Sequence, residues 1–221
     1  YKKAFAGDPI SAFGGIFIFN KEVTVPIAEH INSVFVEIVC APSYSNEALQ
    51  ILTKKKNIRI LQRTNHDSLS WRIRDSGNGF LIQEKDKEVF SKIDVITEEV
   101  LSEKDLNDIK FGLKALKYVK SNAILVCKDT QVLGIGGGQP NRIDSTRIAL
   151  AHAKERFNDC KESVLCSDAY FPFADSIQEA SKYGVKIVVE PGGSIKDKVV
   201  IEEAKKLGII LVFTGQRHFL H

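Results

Sequence analysis

The chain has 221 residues, of which 43% are hydrophobic and 27% are charged, and its formal net charge is +3. That length can form one large domain or two small ones, and the composition is typical of a soluble globular protein. The small, dispersed charge argues against a nucleic-acid partner. Since no apolar run reaches the length of a membrane span and no signal peptide is recognised, we expect a cytoplasmic protein without a membrane partner.

The four cysteines, Cys40, Cys127, Cys160 and Cys166, lack the paired spacing of a zinc site. Three of them lie in apolar runs, as reduced buried thiols do in the cytosol. The sequence contains no methionine and opens in the middle of a pattern. We therefore expect it to be part of a longer protein.

Residues 1–101 are predicted to form a first α/β subdomain. Strands are predicted at residues 16–19, 34–40 and 58–61, with helices that begin after Thr24 and Ser45. Two successive strand–helix–strand units favour a parallel sheet. A later segment, residues 71–83, has the pattern of a hairpin with a long turn.

Glu37 stands alone in the apolar strand predicted at residues 34–40. We expect its apolar neighbours to desolvate it, and a buried carboxylate needs a partner. Two interpretations stay open at this point: exposure at a sheet edge, or a carboxylate that faces a ligand.

Residues 102–221 are predicted to form a second α/β subdomain. A capping box at Ser102 and Asp105 is predicted to begin its longest helix. From residue 163 to 213 the pattern is strand–helix–strand–helix–strand, with Ser194 as the N-cap of the last helix and Gly208 as its end. Connections this short favour parallel pairing, so we predict two α/β subdomains with mostly parallel sheets.

A glycine-rich turn at residues 134–142 joins an apolar run to a helical pattern that begins near Ile143. The glycines at 136 to 138 can adopt left-handed angles, and a helix N-terminus beside Arg142 suits an anion. A tight turn without a ligand explains the same pattern. Gln139 stands where the dinucleotide fingerprint needs its third glycine, which argues against a Rossmann oxidoreductase.

Loops that leave the carboxyl ends of parallel strands meet at one edge, where ligands bind. In this sequence they are residues 167–173, 190–194 and 214–221. Aromatic side chains, a glycine turn and Arg217 at one edge suit a small molecule of the nucleotide or heterocycle class.

Five segments, in order and from end to end, resemble the formyltransferase domain of the AICAR transformylase/IMP cyclohydrolase family. They are AGDPISAFGG (6–15), VKSNA (119–123), GIGGGQ (134–139), SDAYFPF (167–173) and TGQRHF (214–219). The resemblance implies a cytidine-deaminase-like α/β fold and a homodimer with shared active sites. It also implies formyl transfer from 10-formyltetrahydrofolate to the 5-amino group of aminoimidazole carboxamide ribonucleotide (AICAR).

The same resemblance implies roles for individual residues. Those implied to contact the nucleotide are Gly14, Glu37, Asn122, Arg142, Tyr170 and Arg217, and Asn122 would act in catalysis by orienting a carboxamide or formyl oxygen. Those implied to contact folate are Ile143, Asp175, Ser194 and Ile195. Asp168 resembles a residue near a bound monovalent cation such as potassium.

The sequence also departs from the family. Tyr170 replaces the usual phenylalanine, and Ala174 replaces an arginine found in many relatives. The family's catalytic lysine–histidine pair is absent, since none of the five histidines follows a lysine. The resemblance therefore implies a fragment, without the general base and the cyclohydrolase domain, that binds better than it catalyses. The alternative is a stand-alone, non-catalytic module that binds nucleotide or folate.

Overall fold

The computed structural model describes residues 1–64, 70–158 and 160–220 and divides into two compact units, Tyr1–Glu84 (unit 1) and Lys85–His221 (unit 2). The sequence predicts a boundary between residues 101 and 102, but the division falls between residues 84 and 85. The reason is a two-residue strand that carries little sequence signal: Asp94–Val95 pairs antiparallel with Ile210–Phe213 of unit 2. The segment before the capping box therefore belongs to unit 2.

Unit 1 contains a parallel sheet and a separate hairpin. Its elements in chain order are α1 (Lys2–Gly7), β1 (Gly15–Ile18), α2 (Val25–Ser33), β2 (Val36–Ala41), α3 (Asn46–Leu52), β3 (Arg59–Gln62), β4 (Trp71–Asp75) and β5 (Phe80–Glu84). Strands β1, β2 and β3 pair in that order, all in parallel, and β4 pairs antiparallel with β5. The predicted strand–helix–strand units and the hairpin are thereby confirmed.

The core of unit 1 joins its parallel sheet to helices α2 and α3. Ala28 and Ile31 of α2, and Ala48 and Leu52 of α3, belong to one buried cluster with Val39 of β2. Spacings of three and four residues place each helical pair on one face of its helix. The amphipathic pattern of the sequence thus corresponds to the packed faces.

Unit 2 contains a mixed sheet. Its elements are β6 (Asp94–Val95), α4 (Glu103–Leu116), β7 (Ile124–Lys128), β8 (Gln131–Gly136), α5 (Arg142–Phe157), β9 (Val164–Ser167), α6 (Asp175–Lys182), β10 (Ile187–Glu190), α7 (Asp197–Leu207) and β11 (Ile210–Phe213). The strand order is β6-β11-β10-β9-β7-β8. Strands β9, β10 and β11 pair in parallel, as predicted, whereas β6, β7 and β8 make antiparallel pairs. The α/β class is confirmed, with a parallel sheet in unit 1 and a mixed sheet in unit 2.

Helices cover both faces of the unit 2 sheet. Successive residues of a strand point to opposite faces. Leu125 and Cys127 of β7 accordingly share a buried cluster with α4, while Ile124 and Val126 share another with α5, α6 and α7. Burial on both faces explains the continuous apolar runs of these strands. Among the described residues, no helix combines the length and apolarity needed to span a membrane.

Two predicted helix starts have different outcomes. The capping box is confirmed: the Asp105 amide donates to the Ser102 hydroxyl at 3.1 Å, and the Ser102 amide donates to the Asp105 carboxylate at 3.0 Å. The N-cap predicted at Ser194 is wrong, because α7 begins at Asp197 with Lys196 as its N-cap. The Ser194 amide instead donates to the Asp197 carboxylate at 2.9 Å, which closes the turn before the helix.

The glycines of the glycine-rich turn mainly permit close packing. A Cβ on Gly134 would lie 2.0 Å from the Ala149 carbonyl oxygen, and one on Gly136 would lie 1.9 Å from that of Ser145. Strand β8 and helix α5 therefore approach each other where only glycine fits. Of the glycines at 136 to 138, Gly138 alone has a positive φ, +69°, so the predicted left-handed backbone is confirmed at that position only.

The carboxylate of Asp108 on α4 holds the two-residue turn between β7 and β8. Both turn residues, Asp129 and Thr130, have left-handed backbones, with φ of 54° and 53°, as a type I′ turn requires. Their amides donate to the Asp108 carboxylate at 3.0 and 2.7 Å. The side chain of Asp108 is 3% exposed. A helix residue of unit 2 thus fixes a hairpin turn of the sheet.

We expect Asp108→Ala to lower the free energy of unfolding by about 1–3 kcal/mol, because two turn amides lose a charged acceptor. Asp108→Asn, which keeps one acceptor oxygen, should lose less. Urea denaturation of the wild type and both variants measures the differences. Equal stability of the alanine variant and the wild type would show that the turn forms without this side chain.

Candidate functional site

The candidate residues of unit 2 meet at one edge of its sheet. Strands β8 and β9 both pair antiparallel with β7, with Ile124 opposite Gly136 and Ser167. The start of β7 and the ends of β8 and β9 therefore lie at the same edge, and β10 and β11 continue the sheet parallel to β9. As predicted, this edge (the site edge) collects the loops that follow β9, β10 and β11, where ligands bind in α/β sheets.

A buried ion pair between Arg142 and Asp168 lies at the site edge. Arg142 is the first residue of α5 and its side chain is 8% exposed, while that of Asp168, which follows β9, is 0% exposed. The Nη1 group of Arg142 donates to the Asp168 carboxylate and, at 3.0 Å, to the Ser167 hydroxyl. Its Nη2 group donates to Asn122 Oδ1 at 2.9 Å. Arg142 therefore connects α5, the loop after β9 and the segment before β7.

The side-chain amide of Asn122 is held at both ends. Its Oδ1 accepts from Arg142, while Nδ2 donates to the carbonyls of Gln139 and Pro140 at 2.9 and 3.2 Å. Through Asn122, these bonds connect the backbone of the turn at Gln139 and Pro140 to the Arg142 side chain. The resemblance implies that Asn122 orients a ligand oxygen. For Nδ2 to do so, one of its two hydrogen bonds to the turn carbonyls must break.

The carboxylate of Asp168 is held by two side-chain donors in this arrangement. Its two carboxylate oxygens already accept hydrogen bonds, from Arg142 on Oδ1 and from the Ser121 hydroxyl on Oδ2. A cation on Oδ1 would lie beside the guanidinium, whose charge repels it, whereas Oδ2 keeps a lone pair beyond its bond to the Ser121 hydroxyl. Among the residues that the structure describes, no group of three or more His, Cys, Asp or Glu could hold a metal ion. The monovalent cation stays a prediction.

Tyr170 and Arg217 form a pair at the surface of the site edge. The guanidinium carbon of Arg217 lies 4.8 Å from the centroid of the Tyr170 ring, a cation–π contact. Tyr170 is half-buried in the loop after β9, and Arg217 is exposed in the tail after β11. The fold therefore brings a flat stacking surface and a positive charge together from two segments that are distant in the sequence.

His218, which sequence analysis missed, fixes the tail that carries Arg217. Its Nδ1 lies 2.5 Å from a carboxylate oxygen of Asp86, and its Nε2 lies 2.9 Å from the Val89 carbonyl oxygen. The side chain is 0% exposed. No sequence signal could have revealed this role, because Asp86 lies 132 positions earlier in an aperiodic segment.

Glu190, also missed, ends β10 and is 0% exposed. The Phe171 amide donates to its Oε2 at 2.5 Å, whereas Oε1 is buried without a partner among the described residues. Burial raises the pKa of Glu190 to about 8; Asp197 raises it as well, while the Phe171 amide and Arg142 lower it. A sequence signal was present, since an acid that ends an apolar strand is the same anomaly that singled out Glu37.

The residues implied to contact folate are placed near the site edge by three elements. Ile143 is the second residue of α5, Asp175 is the first residue of α6, and Ser194 and Ile195 lie between β10 and α7. Ile195 is fully exposed, and the other three are partly buried. Each follows the carboxyl end of a strand that reaches this edge. Their contact with folate stays a prediction.

Gly14 and Glu37, the remaining candidates, belong to unit 1. Gly14 has a φ of +69°, and its amide donates to the Phe35 carbonyl at 2.9 Å. Glu37 lines an open depression of about 500 Å³ together with Phe35, Lys56 and Arg59. Its carboxylate lies 3.9 Å from the Arg59 guanidinium, and its side chain is 54% exposed. The prediction that apolar neighbours desolvate Glu37 is therefore wrong.

A β-bulge explains the exposure of Glu37. Gly15 of β1 pairs with Val36 of β2, and Ile16 pairs with Ile38, so Glu37 is the extra residue between two paired positions. Strand β2 is the central strand of its sheet, which excludes the sheet-edge interpretation. The carboxylate is exposed because the backbone bulges there.

Fold and site together define an α/β protein with a candidate small-molecule site at the carboxyl ends of its parallel strands. A family model described as the AICARFT/IMPCHase bienzyme matches residues 1–152. The chain therefore belongs to the AICARFT/IMPCHase bienzyme family.

Relatives named bifunctional purine biosynthesis protein PurH match the whole chain. The protein from Petrotoga mobilis is 45% identical over 221 residues, which are 100% of this chain and 43% of that protein. Those from Fusobacterium nucleatum and Clostridium kluyveri are 46% and 47% identical, again over 100% of this chain, and 44% and 43% of their own lengths are covered. The chain thus spans less than half the length of these relatives.

Solved structures that resemble the chain include two deaminases. The dCMP deaminase of the cyanophage S-TIM5 is 17% identical with a TM-score of 0.37, over 51% of this chain and 98% of that chain. The diaminohydroxyphosphoribosylaminopyrimidine deaminase/reductase of Thermotoga maritima is 20% identical with a TM-score of 0.32, over 48% of this chain and 34% of that chain. Likeness at this level does not by itself bear on function, and the α/β class rests on the strands and helices of the chain itself.

Proposed function

We propose that the complete protein acts in purine biosynthesis by transferring a formyl group from 10-formyltetrahydrofolate to the 5-amino group of AICAR. Membership of the AICARFT/IMPCHase bienzyme family and the similarity to PurH proteins support this assignment. Unit 2 supplies a large part of the nucleotide site through Asn122, Arg142, Tyr170 and Arg217. We further propose a homodimer with shared active sites, as the resemblance implies, and a cytoplasmic location, as expected from the sequence.

The observation that carries the proposal is the Tyr170–Arg217 pair beside the Arg142 network. A ribonucleotide offers a flat heterocycle and an anionic phosphate. The Tyr170 ring can stack on the heterocycle, and a guanidinium fork can pair with phosphate oxygens. Arg217 is exposed and free to turn from the ring toward an anion, whereas Arg142 is committed to Asp168.

Formyl transfer also needs a general base and a donor for the developing negative charge, and no histidine of this sequence follows a lysine. The amine of AICAR is a weak nucleophile that needs a base, and the attacked formyl carbonyl needs a donor for its developing negative charge. The residues of this chain bind and orient, with Arg142 holding the Asn122 amide at 2.9 Å. We propose that another part of the complete protein supplies the lysine and histidine that the family uses for these two tasks.

A second function, a non-catalytic module for nucleotide or folate, is favoured by one observation: none of the five histidines follows a lysine. A formyl-transfer assay that follows tetrahydrofolate release separates the two functions. We expect turnover by the complete natural protein and none by the 221-residue chain alone. Nucleotide binding without turnover by the complete protein would replace the proposed function with the module.

We expect Tyr170→Ala, made in the complete protein, to weaken AICAR binding by about 1–3 kcal/mol, the usual contribution of one base stacked on an aromatic ring. Tyr170→Phe keeps the ring and should bind nearly as well as the wild type. Tyr118→Ala is the matched control, because Tyr118 is 79% exposed on the same unit. Calorimetry measures all four affinities, and equal binding by Tyr170→Ala and the control would remove Tyr170 from the site.

A further inference from the structure

Glu190 occupies a place at the site edge that is unfavourable for a charged carboxylate. Its side chain is 0% exposed, and a buried carboxylate needs several donors. Among the described residues it has one, the Phe171 amide, 2.5 Å from Oε2. Its other oxygen, Oε1, is buried and has no partner in the described part of the chain.

The charges that face Glu190 do not compensate its ionised form. Asp197 at the start of α7 opposes ionisation, and Arg142 at the start of α5 favours it. Arg142 already forms an ion pair with Asp168, whose negative charge offsets most of the positive charge that Glu190 would feel. Burial is the largest influence and raises the pKa of Glu190 to about 8. Glu190 is therefore mostly uncharged at neutral pH.

The loop attached to Glu190 carries the proposed stacking residue. Phe171, whose amide Glu190 accepts, is 0% exposed and belongs to the core that packs against α5, α6 and α7. Its immediate neighbour Tyr170 lies under Arg217, 4.8 Å from ring centroid to guanidinium. Movement of the Phe171 amide therefore changes the position of the Tyr170 ring.

We propose that Glu190 is a positioning residue for nucleotide binding: as an uncharged acid it holds the loop at residues 168–173, and loss of its proton opens that loop to water and weakens stacking by Tyr170. The proposal rests on the nucleotide-binding function proposed above. Ionisation strengthens the bond from the Phe171 amide, but this one donor does not replace the water that an exposed carboxylate binds. The ionised carboxylate therefore has to recruit water, which reaches it only if the surrounding loops move. If the nucleotide binds only the protonated form, its affinity falls about tenfold per pH unit above the pKa of about 8.

The NMR signal of the Phe171 backbone amide reports its hydrogen bond to Glu190 without any ligand. In the chain labelled with ¹⁵N-phenylalanine, with the signal assigned by Phe171→Leu, we expect it to titrate with a midpoint near the pKa of about 8. In Glu190→Gln, which keeps an acceptor but has no titrating proton, the signal should stay constant. A wild-type signal that stays constant between about pH 6 and about pH 9, or one that titrates equally in Glu190→Gln, overturns the proposal.

The AICAR affinity of the complete protein tests the consequence for binding. By calorimetry we expect the wild type to bind about tenfold more weakly at about pH 9 than at about pH 7, and Glu190→Gln to bind equally at both. Tyr170→Phe should show the wild-type fall, which excludes the phenol as its source. The exposed Glu202→Gln is the matched control and should also behave like the wild type.

The two readouts separate failure of the proposal from failure of the proposed function. A titrating Phe171 signal with a wild-type affinity that does not change with pH overturns the link between Glu190 and binding. Absence of AICAR binding at neutral pH overturns the proposed function, and the positioning role fails with it, even if the Phe171 signal shows that Glu190 is a structural tether.

Discussion

Arg142→Ala is expected to lower the free energy of unfolding by about 3–5 kcal/mol, the usual effect of removing one partner from a buried ion pair. The Asp168 carboxylate, which is 0% exposed in the wild type, keeps only the Ser121 hydroxyl as a side-chain donor among the described residues. The variant also removes the donor to Asn122. The loss should therefore loosen the three segments that Arg142 connects at the site edge.

Urea denaturation measures this loss, and Arg147→Ala is the matched control on the same helix. The side chain of Arg147 is 59% exposed and pairs with Asp144 at 3.4 Å. A surface pair of this kind contributes about 0–1 kcal/mol because water and salt screen it. Equal losses in the two variants would show that the buried pair has no greater effect on stability than the exposed one.

The same network complicates any binding measurement on Arg142→Ala, because a destabilised site edge can bind weakly without losing a direct contact. Asp168→Asn breaks the ion pair from the other side while it leaves the Arg142 guanidinium in place. If Arg142 also contacts the nucleotide, Arg142→Ala should lose more affinity than Asp168→Asn. A double-mutant cycle of the two changes gives the coupling between the side chains and separates it from the ligand contact.

The helices and strands that the sequence predicted well are those whose buried residues recur at a regular spacing along the chain. The helix expected from Ile143 to about residue 156 is α5 (Arg142–Phe157), and Gly208 ends α7 with the left-handed φ of +67° that favours glycine there. The convergence of loops at the site edge followed from topology, because the carboxyl ends of parallel strands must meet. Periodicity and connection length were sufficient for this much.

The parts that sequence missed depend on contacts between distant residues or on local irregularity. Glu37 is exposed by a β-bulge that shifts the register by one residue, and no alternation pattern reveals such a shift. His218 finds Asp86 across 132 positions. Glu190 showed the right anomaly, an acid at the end of an apolar strand, but the sequence could not show that its single donor is the Phe171 amide.

We expect the free energy of unfolding of Glu190→Gln, relative to that of the wild type, to rise with pH. Burial raises the pKa of Glu190 from its ordinary 4.5 to about 8 in the fold. The favourable contribution of the protonated acid is therefore complete below about pH 4.5 and is lost as the pH rises through about 8. Glutamine does not titrate, so the stability difference should grow by about 1.4 kcal/mol per pH unit across this window, to several kcal/mol in total.

Urea denaturation of the wild type, Glu190→Gln and the control Glu202→Gln, repeated at several pH values between about 5 and about 9, measures this difference. The unpaired glutamine amide can shift the Glu190→Gln curve by a constant, since it leaves a donor without an acceptor, so the slope with pH is the diagnostic quantity. Glu202→Gln should follow the wild type at every pH. A Glu190→Gln difference that does not change with pH would mean that Glu190 ionises at its ordinary value inside the fold. Water would then already reach the carboxyl group, and the loop that carries Tyr170 would not depend on the proton of Glu190.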